Sequence, residues 1–467
     1  MNQNMQNKQN GKIGLLPMYL ALYDQHLPET RNGFMPFLEK IHDAFTQQNV
    51  EVITASYCRL DSEFQEAIRQ FEEEDVDCIV TLHLSYSPSL ECIHALSKTR
   101  LPIIVFDTTI DSNFDSPSQI MYNHGIHGVQ DMCNLLLRNG KDFIIESGHI
   151  DLSEVIAHLV NHIQGAKMAH QFKKARIGQI GEPFKGMGDF QVEPAVIQKK
   201  LGFQVIQTPL HQFARYFPDA NESAVHDELI HDQNLFDLSD VDKEFHLSSI
   251  KTGIALRRWL ETEQISGFTI NFLSITRDSG LPQMPFLEIG KAMSRGIGYA
   301  GEGDVLTAAL VGTLSQVIGN ATFSEMFCPN WSENSIFLSH MGEMNVSLAA
   351  ETVQLKEKPW TYSDAETAIY PSACYMKGEA AIVNLAPGAD DRFSLIVSPI
   401  TMVEEKDKSI MQGKVRGWFK PRIPLSDFLK RYSEEGGTHH IAIVYGDPVD
   451  TLKTFARIMQ WNFIEIK

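Results

Sequence analysis

At 467 residues the chain has room for about two to four domains, because single hydrophobic cores stop growing at roughly 250–300 residues. A hydrophobic content of 43% with 21% charged residues argues against disorder, and the apolar runs fall short of the ~20 residues that a bilayer crossing needs. A net charge of −19 with no basic stripe argues against nucleic acid as a partner, and six scattered cysteines with no CxxC pair argue against a disulfide framework or a zinc ribbon.

Residues 1–10 are Asn/Gln-rich and lack the apolar core of a signal peptide, so a short disordered lead and a cytoplasmic chain without membrane contact are expected. From Gly11 to about residue 170, strand-like runs (Gly11–Pro17, Val50–Ser56, Asp77–Leu84, Pro102–Asp107) alternate with amphipathic helical stretches such as Phe34–Gln48 and Ser62–Glu74. This alternation predicts a doubly wound parallel sheet, whose ligands gather at the carboxyl ends of its strands. A helical pattern over Leu152–Lys174 leads into a second α/β unit, 171–325, which opens with the strand Ala175–Ile180 and the loop 181–189. Three glycines and a proline in that loop forbid regular structure. It is either a plain connection or a place where the backbone approaches a ligand, with Met187 as a candidate substrate contact.

The acidic segment from Asn221 to Leu247 is expected on the surface, followed by a helix near Ser249–Thr262, a strand over Gly267–Ile275, a helix over Phe286–Arg295, a glycine-rich turn at Gly296–Gly303 and a helix over Ala308–Ile318. After Ser335 the texture changes to short alternating segments, including Ile336–His340, Ala380–Leu385, Phe393–Thr401 and Lys414–Phe419. These predict a mostly β domain over 326–467, closed by strand His440–Tyr445, helix Val449–Met459 and a strand near Phe463–Ile466. The fold class expected is therefore α/β, with two doubly wound parallel-sheet domains followed by a mostly β C-terminal domain.

Four short stretches carry chemistry: Gly-Glu-Gly-Asp at 301–304, Phe-Ser-Glu at 323–325, Ser-His-Met-Gly-Glu at 339–343 and Thr-His-His at 438–440. They offer Glu302, Glu325, His340 and His440, a mixed carboxylate and imidazole set that suits a divalent cation acting as a Lewis acid. Read blandly, Glu302 is an acid answering a helix dipole and Glu325 a solvated loop acid. Glu343, three residues beyond His340, is a candidate to orient that ring or to touch substrate. His439 and His440 enter a strand as neighbours, so their side chains are expected on opposite faces with only one of them in the site, and spacing alone does not choose. His124 and His127 have helical spacing but no nearby acid, which points to a structural role or a subunit contact, with contact to substrate as the alternative. No Rossmann or P-loop spacing is present, and Asp304 stands where a P-loop needs lysine.

The run Gly298-Tyr-Ala-Gly-Glu-Gly-Asp-Val-Leu-Thr-Ala-Ala-Leu310 resembles the L-arabinose isomerase and L-fucose isomerase superfamily, as do Thr322–Glu325, His340 in Ser-His-Met-Gly-Glu and the Gly-Gly-Thr-His-His run at 436–440. Weaker likeness extends over most of the chain. After Glu325 the family's continuation is replaced by Met-Phe-Cys-Pro-Asn, and Gly417–Pro421 looks closer to the fucose-isomerase-like group. The resemblance implies Mn²⁺ held by Glu302, Glu325, His340 and His440, with Glu302 and Glu325 also transferring protons and the second histidine of the pair matching the last ligand. It implies an aldose–ketose isomerase working through an enediol on a pentose, hexose or deoxysugar. It also implies a homo-oligomer, trimer or hexamer, with sites at subunit interfaces, where Tyr19, Gln25, His26 and Arg31 of a neighbouring chain could grip sugar hydroxyls and His439 could touch substrate. The alternatives are a non-catalytic sugar-binding or regulatory protein, and a metal-dependent epimerase that begins with the same proton abstraction.

Overall fold

A computed structural model describes residues 8–219, 222–405 and 412–467, so most of the expected disordered lead lies outside the described residues. The chain forms two compact units, one comprising the residues up to His170 with Lys453–Ile458, the other Gln171–Leu452 with Met459–Lys467. Among the described residues no helix is long and apolar enough to cross a membrane.

The first unit is built on β1 (Gly11–Met18), β2 (Val50–Thr54), β3 (Cys78–His83), β4 (Ile103–Asp107) and β5 (Ile144–Ser147). All pairings are parallel, in the order β2-β1-β3-β4-β5. β3 is buried along its whole length, as expected for a continuous apolar run covered on both faces. Tyr19 is buried at the end of β1 with its hydroxyl donating to Asp24 at 2.7 Å, so that hydroxyl is already engaged. Gln25 and His26 lie in the short helix Leu22–His26, which has no buried residue. His124 and His127 do not share one helix: the first caps Ile120–Asn123 and the second lies in Ile126–Arg138, with ring centroids 5.6 Å apart.

The second unit opens with β6 (Arg176–Ile180), β7 (Gln204–Gln207), β8 (Gly267–Ile270) and β9 (Gly298–Gly301), a parallel sheet in the order β7-β6-β8-β9. The glycines at 298 and 301, expected to make a turn, instead form the edge strand β9. The chain then runs through β10 (Ala321–Asn330), β11 (Ser335–Ser339), β12 (Gln354–Lys358), β13 (Ala368–Ser372), β14 (Gly378–Pro387), β15 (Phe393–Val403), β16 (Gly417–Pro421), β17 (His440–Tyr445) and β18 (Asn462–Glu465). β12 and β13 pair with each other. The remaining strands follow the order β14-β17-β10-β11-β16-β15, and the β14–β15 pairing closes them into a six-stranded antiparallel barrel, with β18 added in parallel to β15. Ile336, Leu338, Ile382, Ile396, Ile441 and Ile443 belong to one buried cluster that fills it.

The acidic segment expected on the surface contains helix Ser223–Leu235, which buries Glu228 and Asp232. Arg257 makes paired bonds to Glu228 and Glu288 at 2.8–3.1 Å, Lys291 Nζ reaches Glu228 at 2.6 Å and also Asp232, and His246 Nε2 lies 2.9 Å from Asp232. Charge periodicity reads as solvated when the compensating cations come from helices far along the chain. Burial opposes ionisation of Glu228, yet Arg257 and Lys291 bring its pKa from 4.5 down to about 2. Because the folded value is depressed, its contribution to stability is present above about pH 4.5 and lost as pH falls towards about 2. Thermal melts of wild type and Glu228→Gln should therefore differ most near neutrality and converge through that acid window; a constant gap would show that the carboxylate charge is not the source.

Candidate metal centre

Glu302 follows the edge strand β9 with φ of 64°, a left-handed backbone that glutamate rarely adopts, and Gly303 continues it at φ of 92°. The flanking glycines are needed for a different reason, close packing. A Cβ on Gly301 would stand 2.8 Å from His340 Cε1, and one on Gly303 would stand 2.5 Å from Pro183 Cα. The bend is pinned by Glu302 N–H donating to the Ile270 carbonyl at 2.9 Å, Phe184 N–H donating to the Glu302 carbonyl at 2.8 Å, and Gly303 N–H donating to Thr269 Oγ1 at 2.9 Å. Asp304 caps helix Val305–Val317 through Thr307 N–H at 2.9 Å, while its other oxygen meets His440 Nδ1 at 3.0 Å. One aspartate thus starts the helix and orients a histidine.

The barrel supplies the rest. Glu325 on β10 is paired directly with His440 on β17 and with Ser339 on β11, so the antiparallel register brings Glu325, His440 and the following residue His340 together. His340 Nδ1 lies 2.7 Å from Glu343 Oε2, and the second Glu343 oxygen accepts from Tyr299 at 3.1 Å. His340 Nε2 is 4.0 Å from Glu325. Phe323 meets both His340 and His440 edge-on at 4.9 and 5.0 Å, and Phe190 stacks on His440 at 5.4 Å with 10° between the ring planes.

The expectation that only one of His439 and His440 faces the site is overturned. Both Nε2 atoms point at Glu302 Oε2, at 3.7 and 3.6 Å. The strand begins at His440, so period-two alternation does not extend to His439. His439 is instead turned inward by Asp189, which accepts its backbone N–H at 3.0 Å and lies 2.7 Å from its Nδ1.

Three imidazoles therefore share one pattern, with Nδ1 on a carboxylate (Asp189, Asp304 or Glu343) and Nε2 turned towards Glu302 and Glu325. Holding Nδ1 in this way fixes the ring and the tautomer of a metal-ligating histidine. His439 Nε2 and His440 Nε2 are buried without a hydrogen-bond partner among the described residues, and with a Glu302 oxygen they lie within 4.8 Å of one another. Orphaned nitrogens beside a carboxylate fit a divalent cation. Electrostatics agree. Burial works against charge at Glu302, but His439, His440 and His340 outweigh it and hold the carboxyl below its ordinary pKa. Burial likewise opposes charge on His439, yet Glu302 and Asp189 raise its pKa to about 9.

The family model of the L-arabinose isomerase central domain matches residues 190–320 and that of the L-arabinose isomerase C-terminal domain matches residues 320–462. The chain belongs to the L-arabinose isomerase family. Enzymes of this family are aldose–ketose isomerases, that is, intramolecular oxidoreductases. The L-arabinose isomerase of Oceanobacillus iheyensis is 22% identical to the chain, over 84% of it and 85% of the relative, and that of Geobacillus kaustophilus is 23% identical, over 81% and 79%. Among solved structures, a periplasmic solute-binding protein from Actinobacillus succinogenes with bound D-allose covers 66% of the chain and 91% of its own at 13% identity and a TM-score of 0.17, too slight a likeness to argue from. Within the L-arabinose isomerase family frame, Glu302, Glu325, His340, His439, His440 and Glu343 are brought together by the fold. Met187 lies half-buried two residues before Asp189. Asp189, Asp304, Tyr299 and Phe190 were not singled out by sequence as site residues. Only Asp304 had a readable signal, an aspartate directly ahead of an apolar helix.

Proposed function

We propose that this isomerase is metal-dependent, with Mn²⁺ as the working cation and an L-arabinose- or L-fucose-like pentose, hexose or deoxysugar as substrate. The observation that carries the reading is the set of three carboxylate-anchored imidazoles, two with Nε2 turned to Glu302 and the third with Nε2 turned to Glu325. Glu302, Glu325, His340 and His440 would hold the cation, and His439 is available to a sugar hydroxyl beside it. A bound divalent cation supplies Lewis acidity where negative charge develops on the carbonyl and neighbouring hydroxyl oxygens. Glu302 and Glu325 remove the proton from the carbon beside the carbonyl and return one to its neighbour, one as base and the other as acid, through an enediol. Phe323 and Phe190 keep water off the imidazoles. Beside Phe190 and Gly303 lies a cavity of about 440 Å³ whose polar lining is Gln179, Gln191, Gln207, Glu182 and Glu193, with no basic side chain, a chemistry that suits hydroxyls rather than phosphate.

A cytoplasmic homo-oligomer, trimer or hexamer, in which Gln25 and His26 of one chain serve the centre of another, belongs to the same proposal. The test is a panel of aldopentoses, aldohexoses and deoxysugars scored for ketose formation before EDTA, after it, and after Mn²⁺ is restored. EDTA should abolish ketose formation and lower the melting temperature, and Mn²⁺ should reverse both, because a ligand bound only by the folded state adds to its stability. Activity and melting that ignore EDTA would remove the metal from the reading, and epimers in place of ketoses would change the reaction.

A further inference from the structure

Lys358, the last residue of β12, takes no part in the chemistry above. Its Nζ donates to the Met341 carbonyl at 2.6 Å and lies 5.3, 5.9 and 5.9 Å from the ring centroids of Phe286, Trp360 and Tyr370. A half-buried ammonium is costly, and a carbonyl with three aromatic faces offsets much of that cost. The same rings seat the turn that bears His340. A Cβ on Gly342 would stand 2.9 Å from Tyr370 Cβ and 3.2 Å from Phe286 Cγ, so the segment from His340 to Glu343 is pressed onto this aromatic surface, with Lys358 holding its Met341 carbonyl.

The clamped turn also carries the partner of the His340 ring. Glu343 is buried, and its Oε2 accepts the Gly342 N–H at 2.9 Å as well as meeting His340 Nδ1. A buried carboxylate is stable only with positive charge or several donors around it.

We propose that Lys358 is a positioning residue of the metal centre: by clamping the Met341 carbonyl it fixes the turn from His340 to Glu343 and so holds the His340 ring with Nε2 directed at the site. This rests on the metal-centre reading above, and its test has an arm that does not. In metal-free protein, amide hydrogen exchange at Gly342, whose N–H is held by Glu343, reports the clamp directly. Lys358→Met, which keeps the stem but removes the charge and the donor, should speed that exchange. Lys358→Arg, which can still donate and stack, should restore it. Lys356→Met on the same strand should leave it unchanged.

In calorimetric titration with Mn²⁺, Lys358→Met should raise Kd about tenfold, the low end of the roughly 10–100-fold found for partners that orient metal ligands, with Lys358→Arg recovering most of the loss. Wild-type exchange at Gly342 in Lys358→Met overturns the clamp. Wild-type Mn²⁺ affinity in that variant overturns its role in the centre. If the wild-type protein binds no Mn²⁺, the metal reading fails, the positioning role in the centre falls with it, and the exchange arm alone decides the clamp.

Discussion

Glu302→Gln and Glu325→Gln should each lower turnover by about 10²–10⁴-fold, the range that a positioned acid or base contributes, even when excess Mn²⁺ restores full occupancy. Glutamine preserves the shape of either side chain and removes both charge and basicity. The left-handed backbone at Glu302 is pinned by main-chain bonds to Ile270 and Phe184 that glutamine leaves in place, so the substitution isolates the carboxylate. The measurement is kcat at confirmed metal content, because loss of metal alone would imitate loss of proton transfer. Wild-type-like turnover by both occupied variants would exclude proton transfer by these residues.

His440→Ala should weaken Mn²⁺ binding more than the roughly 10–100-fold that follows loss of an orienting partner, since it removes a donor atom itself. The structure adds an outcome that strand alternation argued against: His439→Ala should also lower Mn²⁺ affinity, by about tenfold, because its Nε2 stands as close to Glu302 as does that of His440. Titration of both variants with Mn²⁺, with folding checked by circular dichroism, decides the matter. Unaltered affinity in His439→Ala would leave His439 as a substrate contact only.

Much of the fold was legible because its signals are local. Parallel strands buried on both faces read as continuous apolar runs, and the change after Ser335 to short alternating segments marks the barrel strands. The motif residues were legible too, since glycines around an acid and histidines at a strand entrance are unusual enough to notice. What was not legible depends on partners distant in sequence. Asp189 lies 250 residues before His439, so nothing local to the Thr-His-His run announces that the first histidine is turned inward. Buried Glu228 and Asp232 read as surface acids because Arg257 and Lys291 come from other helices. The glycine at 301 reads as a turn, and only the approach of His340 explains why β9 has no side chain there.

The centre is assembled from two kinds of support, with a consequence for how much change each can absorb. Glu325 and His440 are fixed by a ladder that closes on itself, where a slip of one residue would turn the pair to the wrong face and unpair the strands all round the ring. Glu302, Asp189 and the Pro183 contact hang instead from loops leaving a separate sheet. The two parts therefore tolerate change differently: a shift in the ring disturbs the register of every strand in it, whereas a change of length in a loop beyond Glu302 or Asp189 alters only that loop's own contacts.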